Sequence, residues 1–253
     1  VSLRRTVAVA RRVVTQLRRD HRTIALLLVA PVVVLSLVGA LWGGQAGSAP
    51  GRTVLDDLAP GLIALFAFFF IFLLAAVAFL RERTSGTLER ILATPLRRAE
   101  LVAGYLAGFG VFALLQALLI LAFTILVLKV QYRGGLGTIF LVEAVLVVGA
   151  VSLGLAVSAF ARNELQAVQF VPLILLPQVF LSGLLVPVDQ LPDVLRPIAA
   201  VLPLTYAIEA LRSVMIKGYP FGDPLILRDL GILAAFALLA AVAAVASIRR
   251  EVA

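Results

Sequence analysis

"GLIALFAFFFIFLLAAVAFL", Gly61 to Leu80, is twenty residues long and carries no charge. A helix rises ~1.5 Å per residue, so the stretch measures about 30 Å, the thickness of a bilayer's hydrocarbon core. The residues that follow, "RERTSGTLERILATP" from Arg81 to Pro95, are polar and charged, and apolar sequence resumes at Leu101. A chain that crosses a membrane, turns in water and crosses back reads this way. Working outward, five more stretches qualify: Ile24 to Trp42, Leu101 to Leu128, Thr138 to Phe160, Val168 to Val186 (with Pro172 and Pro177), and Leu227 to Ile248. The whole chain is 62% hydrophobic, with a mean hydropathy of +1.10, well above the ~45–50% apolar content of soluble domains. The fold class is an all-α polytopic membrane protein with six spans in a single domain, 1–253.

Cationic residues orient the spans. With the N-terminus inside, fifteen of the 22 fall on inner segments: seven before the first span, then Arg81, Arg83, Arg90, Arg97, Arg98, Arg162, Arg249 and Arg250. Seven fall outside: Arg52, Lys129, Arg133, Arg196, Arg212, Lys217 and Arg228. The bias places both termini in the cytoplasm, as for a protein of the bacterial plasma membrane. The net charge of +8 therefore reports topology, and nucleic-acid binding is not expected.

The basic N-terminal stretch, 1–23, lacks the cleavage pattern of a signal peptide. On a helical wheel Leu3, Val7, Ala10, Val14 and Leu17 share one face. Arg4, Arg11, Arg18 and Arg22 share another, with Arg5, Arg12 and Arg19 beyond them. This predicts a helix lying in the membrane interface with its arginines toward lipid phosphates; the alternative is a disordered basic tail. After the fifth span, residues 187–226 hold six prolines around "LTYAIEALRSVMIKG", a helix closed by Lys217 and Gly218 that is too short and polar to span. It is expected at, or dipping into, the outer face.

Several chemistries are excluded. A P-loop needs Gly-Lys before Ser or Thr, and the two lysines follow Leu128 and Ile216. There is no cysteine, and His21 is the only histidine, so paired-histidine zinc sites and histidine triads complete within the chain are ruled out. No catalytic residue or metal ligand is assigned. Inside the spans, Glu143 is the acid to examine; it either has a functional role or, near the outer end of its span, reaches the interface or pairs with Lys129 or Arg133. Gln116 and Gln178 either line a path or join helices. With Phe66, Phe69 and Ser182 they form the candidate substrate path, although the phenylalanines of 61–80 could equally face lipid. Gly104 and Gly108 make a GxxxG pair.

The charged break resolves into a short amphipathic helix opened by Ser85 or Gly86 and ended before Pro95. Leu88, Ile91 and Leu92 share a face, while Glu89 and Arg90 point elsewhere. Two turns of helix are unstable alone in water, so something holds this one: its own protein, lipid, or a partner.

The segment "RERTSGTLERILATPLRRAELVAGY" resembles the cytoplasmic signature of type-2 ABC export permeases, the daunorubicin-resistance-type permease subunits among them. The arrangement is E-R-x-x-G-T-x-x-x-L-x-x-P, carried by Glu82, Arg83, Gly86, Thr87, Ile91, Leu92 and Pro95; Leu92 stands one place past that spacing and Ile91 fills it. The likeness extends to "FLSGLLVPVDQLPDVLRPIAAVLPLTYAIEALR" after the fifth span. It implies a dimer of six-helix permease chains, identical or homologous, and re-entrant helices on the outer side within 187–226. It further implies a coupling loop, 81–100, that docks a separate ABC ATPase subunit carrying ATP and Mg. Arg83, Gly86, Thr87, Leu88, Glu89, Arg90, Ile91 and Leu92 would make that coupling element, with Leu88, Ile91 and Leu92 as the docking face and Gly86 allowing close approach. The function implied is export of an amphipathic drug-like or lipid substrate. The alternatives are a gradient-driven secondary transporter using Glu143 and a membrane scaffold that transports nothing.

Overall fold

The computed structural model describes residues 2–161 and 163–248; Arg162, Arg249, Arg250 and Ala253 lie outside the described residues. An amphipathic helix, α1 (Leu3–Arg19), precedes the first span, α2 (His21–Trp42). Asp20 separates them and caps α2: its carboxylate accepts hydrogen bonds from the Thr23 backbone N–H (3.1 Å) and hydroxyl (2.6 Å). Those bonds hold Asp20 below the usual carboxylate range. The second span, α3 (Val54–Thr84), begins at a capping box in which Thr53 and Asp56 satisfy each other's backbone N–H groups. A six-residue helix, α4 (Thr87–Leu92), occupies the charged break. The third span, α5 (Arg98–Ala122), continues through a π-helical turn, Phe123–Val127. The fourth and fifth are α6 (Leu136–Ser158) and α7 (Glu164–Leu181). Two short helices, α8 (Arg196–Ala199) and α9 (Pro203–Arg212), precede the sixth span, α10 (Pro224–Ser247). Among the described residues, six helices are thus long and apolar enough to cross a membrane, at the six places the sequence indicates.

One expectation needs correction and two are narrowed. The fifth span ends at Leu181, five residues before the expected Val186, because Gly183 takes the left-handed conformation (φ 88°) that commonly closes a helix. The segment around "LTYAIEALR", expected at or dipping into the outer face, is covered by the bundle. Pro203, Leu204, Thr205, Ala207, Ile208, Ala210 and Leu211 are buried, and α9 packs on α10, α3 and α6. The phenylalanines of α3 do not all face lipid, since Phe68 and Phe72 are sealed in the core and stack at 5.9 Å.

The spans differ in burial far more than in composition. α3 is covered on most sides: Ile63, Ala64, Ala67, Phe68, Ile71, Ala75 and Ala76 are all wholly buried, and a strip along Leu62, Leu65, Phe69 and Leu73 stays half-buried. A helix apolar all round belongs inside a protein or a membrane, and α3 is both. It packs on α6, α5, α9, α2 and α7. At the periphery, α2 buries only Leu27, Pro31 and Leu35, and α7 only Ala167, Val171 and Gln178.

α1 is fastened to α5 through the GxxxG pair. A Cβ at Gly104 would lie 2.5 Å from the Val9 Cβ, and one at Gly108 would lie 2.7 Å from the Val13 Cβ. No other residue lets the helices approach so closely. The buried face of α1 is therefore Val9, Val13 and Leu17. Of the apolar arc read from the sequence, Leu17 turns to the bundle, whereas Leu3 and Val7 remain 77% and 54% exposed. The apolar arc of α1 is wide enough to serve two surfaces, one turned to the bundle and one turned away.

Candidate functional site: the charged loop and its clamp

The loop between α3 and α5 is gripped at both ends by α1. At its entry, Glu82 is buried at the end of α3. Its Oε2 lies 3.2 Å from Arg12 Nη1 and accepts the hydroxyl of the wholly buried Tyr105 from α5. One carboxylate thereby joins three helices. At its exit, Glu100 is buried in the first turn of α5. It accepts the backbone N–H of Arg97 (2.9 Å), completing that helix's N-terminal cap, and the N–H of Ser2 (2.6 Å). Arg5 donates to the Pro95 carbonyl (2.5 Å) and lies 3.7 Å from Glu100. Arg5 and Arg12 are seven residues apart, so they leave α1 on nearly the same side. The expectation that every arginine of α1 turns to lipid phosphates is corrected for these two.

The rest of the loop is also committed to its own chain. Arg83 donates to the Ser158 carbonyl at the end of α6 (2.5 Å), satisfying one of that helix's orphan acceptors. Arg81 makes a two-pronged bond with Glu164 at the start of α7 (2.7 and 3.0 Å). Gly86 opens α4 in the left-handed conformation (φ 70°) with open space where a Cβ would stand. Its requirement is the backbone turn, and close approach of another backbone is not seen among the described residues. Ser85 and Thr87 share a hydrogen bond between hydroxyls (3.0 Å).

Leu88 is 7% exposed and belongs to the main core, and Ile91 packs half-buried against that core. Within this chain, Leu88 and Ile91 of the expected docking face pack α4 against its own bundle. The side chain of Leu92 falls outside the described residues. The side of α4 that remains outward carries Glu89 and Arg90, followed by Ala93, Thr94 and Pro95. A two-turn helix held from behind by apolar contacts and at both ends by α1 presents a small, fixed, polar knob.

Of the candidate path residues, Gln116 and Gln178 join elements of the bundle. Gln116 is wholly buried and donates to the Phe66 carbonyl (3.1 Å), tying α5 to α3. Phe66 is 9% exposed, and Phe69 packs half-buried against Phe70 at 4.8 Å. Gln178 accepts the N–H of Leu204 (3.3 Å), one of the unpaired donors that open α9. Ser182 is buried, and its hydroxyl has no partner among the described residues. Gln116 and Phe66 thus meet, and Gln178 and Ser182 lie one turn apart. Glu143 also departs from expectation. It is wholly buried and neither carboxylate oxygen has a partner among the described residues, so it neither reaches the interface nor pairs with Lys129 or Arg133.

Sequence reasoning missed Tyr105 and Glu100. A usable signal existed: the helical wheel separates Arg5 and Arg12 from Arg4, Arg11 and Arg18, and the acids Glu82 and Glu100 flank the loop. Nothing in the one-dimensional pattern says which set faces the acids.

Comparison with known proteins agrees with this architecture. A stretch of 169 residues, 67% of the chain, is 32% identical to ABC transporter G family member 20 of Dictyostelium discoideum. Nodulation protein J of Rhizobium leguminosarum bv. viciae is 30% identical over 227 residues, covering 88% of this chain and 85% of that protein. The "Probable doxorubicin resistance ABC transporter permease protein DrrC" of Mycobacterium tuberculosis is 28% identical over 230 residues, covering 90% and 81%. The chain spans only 23% of the length of the Dictyostelium protein. Residues 4–216, from the clamp helix through α9, match the ABC-2 type transporter family, and the chain belongs to that family.

Proposed function

We propose that this chain is the membrane-spanning permease subunit of an ATP-driven exporter, with both termini in the cytoplasm. ATP and Mg would be handled by a separate ABC ATPase subunit that docks on the α3–α5 loop. Membership of the ABC-2 type transporter family carries the reading. The clamped loop supports it, since a force delivered at α4 reaches α3, α5 and α1 through Leu88, Glu82 and Glu100. The contacts offered to the ATPase are Glu89 and Arg90, with Gly86 and Thr87 setting the turn before them. Arg83, Leu88 and Ile91 hold the helix from behind.

The substrate class is an amphipathic drug-like or lipid molecule, in keeping with spans that carry almost no charge and with a relative named for doxorubicin resistance. The path would form between two permease chains, identical or homologous. The exposed apolar side of α7, with Leu173, Leu176 and Phe180, is the natural lining, and residues 187–226 would re-enter the outer leaflet above it.

Copurification tests the docking assignment. Exchanging the charges, Glu89→Arg with Arg90→Glu, should leave the thermal midpoint of the purified chain unchanged, because exposed surface pairs contribute ~0–1 kcal/mol. It should reduce ATPase recovered with the chain, and substrate-stimulated hydrolysis, by at least about tenfold. Unchanged stoichiometry and stimulation would remove α4 as the coupling element.

A further inference from the structure

The arginines of α1 fall into two sets with different fates. Arg5 and Arg12 are spent on the loop. Arg4, Arg11 and Arg18 form a second stripe at seven-residue spacing. It runs about 21 Å along the helix, and its side chains are exposed and make no ion pair among the described residues. A shallow trough lies between the two arginine sets, lined by Arg4, Val7, Ala8, Arg11, Arg12, Thr15, Gln16 and Arg19. Beside the stripe lies the part of the apolar arc that the bundle leaves uncovered, Leu3 and Val7. The helix cannot roll to hide either strip. Val9 and Val13 are seated in the Gly104–Gly108 notch, and Arg5 and Arg12 pin the opposite edge.

We propose that the Arg4–Arg11–Arg18 stripe of α1 is a binding surface for the headgroups of anionic phospholipids in the leaflet on the side of the loop. A cationic row running parallel to an exposed apolar strip matches a phosphate headgroup above an acyl chain. A free phosphate would leave Leu3 and Val7 in water, and an acidic protein surface would leave them uncovered. Because the helix is fixed before any lipid arrives, little ordering opposes binding. Each cationic residue near an anionic surface contributes about fivefold in affinity at moderate salt, so three together discriminate strongly between anionic and zwitterionic lipid. The proposal rests on the chain lying in a membrane with α1 at its surface, and it holds whatever docks on α4.

Native mass spectrometry of the purified full chain, given equal phosphatidylglycerol and phosphatidylcholine in detergent, tests this directly. The wild-type chain should retain phosphatidylglycerol preferentially. Arg4→Gln/Arg11→Gln/Arg18→Gln should lower that preference at least about tenfold while keeping the same gel-filtration profile. Arg4→Lys/Arg11→Lys/Arg18→Lys should keep most of it, since the charge is retained on a similar stem. Three results would overturn the proposal. The glutamine variant could retain the anionic lipid as well as wild type. Inorganic phosphate or soluble glycerol 3-phosphate, at matched ionic strength, could displace the lipid completely, which would make the site one for free phosphate. The glutamine variant could keep its lipid preference and lose a copurifying ATPase, which would make the stripe a protein contact.

Discussion

Glu82 and Glu143 are chemically the same side chain, both buried in the same bundle, yet their surroundings are opposite. Glu82 ends α3 at the membrane edge. It has a cation at 3.2 Å, a phenol donating to it, and three helices meeting on its carboxylate. Glu143 lies within α6, sealed from solvent, with both oxygens unpartnered among the described residues. A buried charge is tolerable when it is paired and hydrogen-bonded, and costly when it is not. The first acid therefore acts as a joint. The second contributes nothing to the packing that an apolar side chain of its size would not contribute better. Burial of an acid inside a span does not by itself identify function; the partners around it do.

The largest effect should come from breaking the joint. Glu82→Ala strands the Tyr105 hydroxyl and removes the ion partner of Arg12. Destabilisation of about 3 kcal/mol follows, toward the low end for a broken buried pair because Arg12 can still reach water. Unfolding in mixed detergent would measure it. A double-mutant cycle with Arg12→Ala should return a coupling well above the ~0.3–0.5 kcal/mol scatter of independent sites. An additive cycle would mean that α1 and α3 are held only by packing.

Next in size is an acid placed where none belongs. Leu88→Asp loses the transfer energy of a leucine and brings a carboxylate against the core. A loss of about 2–3 kcal/mol is expected. It should appear in the chain purified alone, as increased protease cutting between Thr84 and Pro95. If the chain alone is unaffected and only ATPase recovery falls, Leu88 turns outward after all.

The smallest effect has the opposite sign. Glu143→Leu replaces an unpartnered acid with an apolar side chain of similar volume and should stabilise the chain by about 1–2 kcal/mol. Export should be retained. Loss of transport with the stability gain intact would show that Glu143 takes part in the transport cycle, and would revive a gradient-coupled mechanism.

Much of this molecule can be read without coordinates. Six spans follow from apolar length alone, because crossing a hydrocarbon core is a sum over ~20 consecutive residues. The charged break, the short helix within it and the helix at the N-terminus follow from local periodicity. The separation of Arg5 and Arg12 from Arg4, Arg11 and Arg18 is a property of 3.6-residue winding. Only the tertiary structure decided that α3 is the central helix while α2 and α7 are peripheral. It alone turned Leu88 inward, assigned Gln116 and Gln178 to joints, and gave Glu82 partners while leaving Glu143 with none. The physical reason is the solvent. Lipid tails and protein interior are equally apolar, so hydrophobicity tells a residue to leave water without telling it which apolar surroundings to enter. That choice is made by close packing and by the few polar groups that must find one another, such as Val9 and Val13 in the notch of Gly104 and Gly108, or Arg12 and Tyr105 on Glu82. Those partners lie on helices far apart in sequence, where no local pattern can pair them.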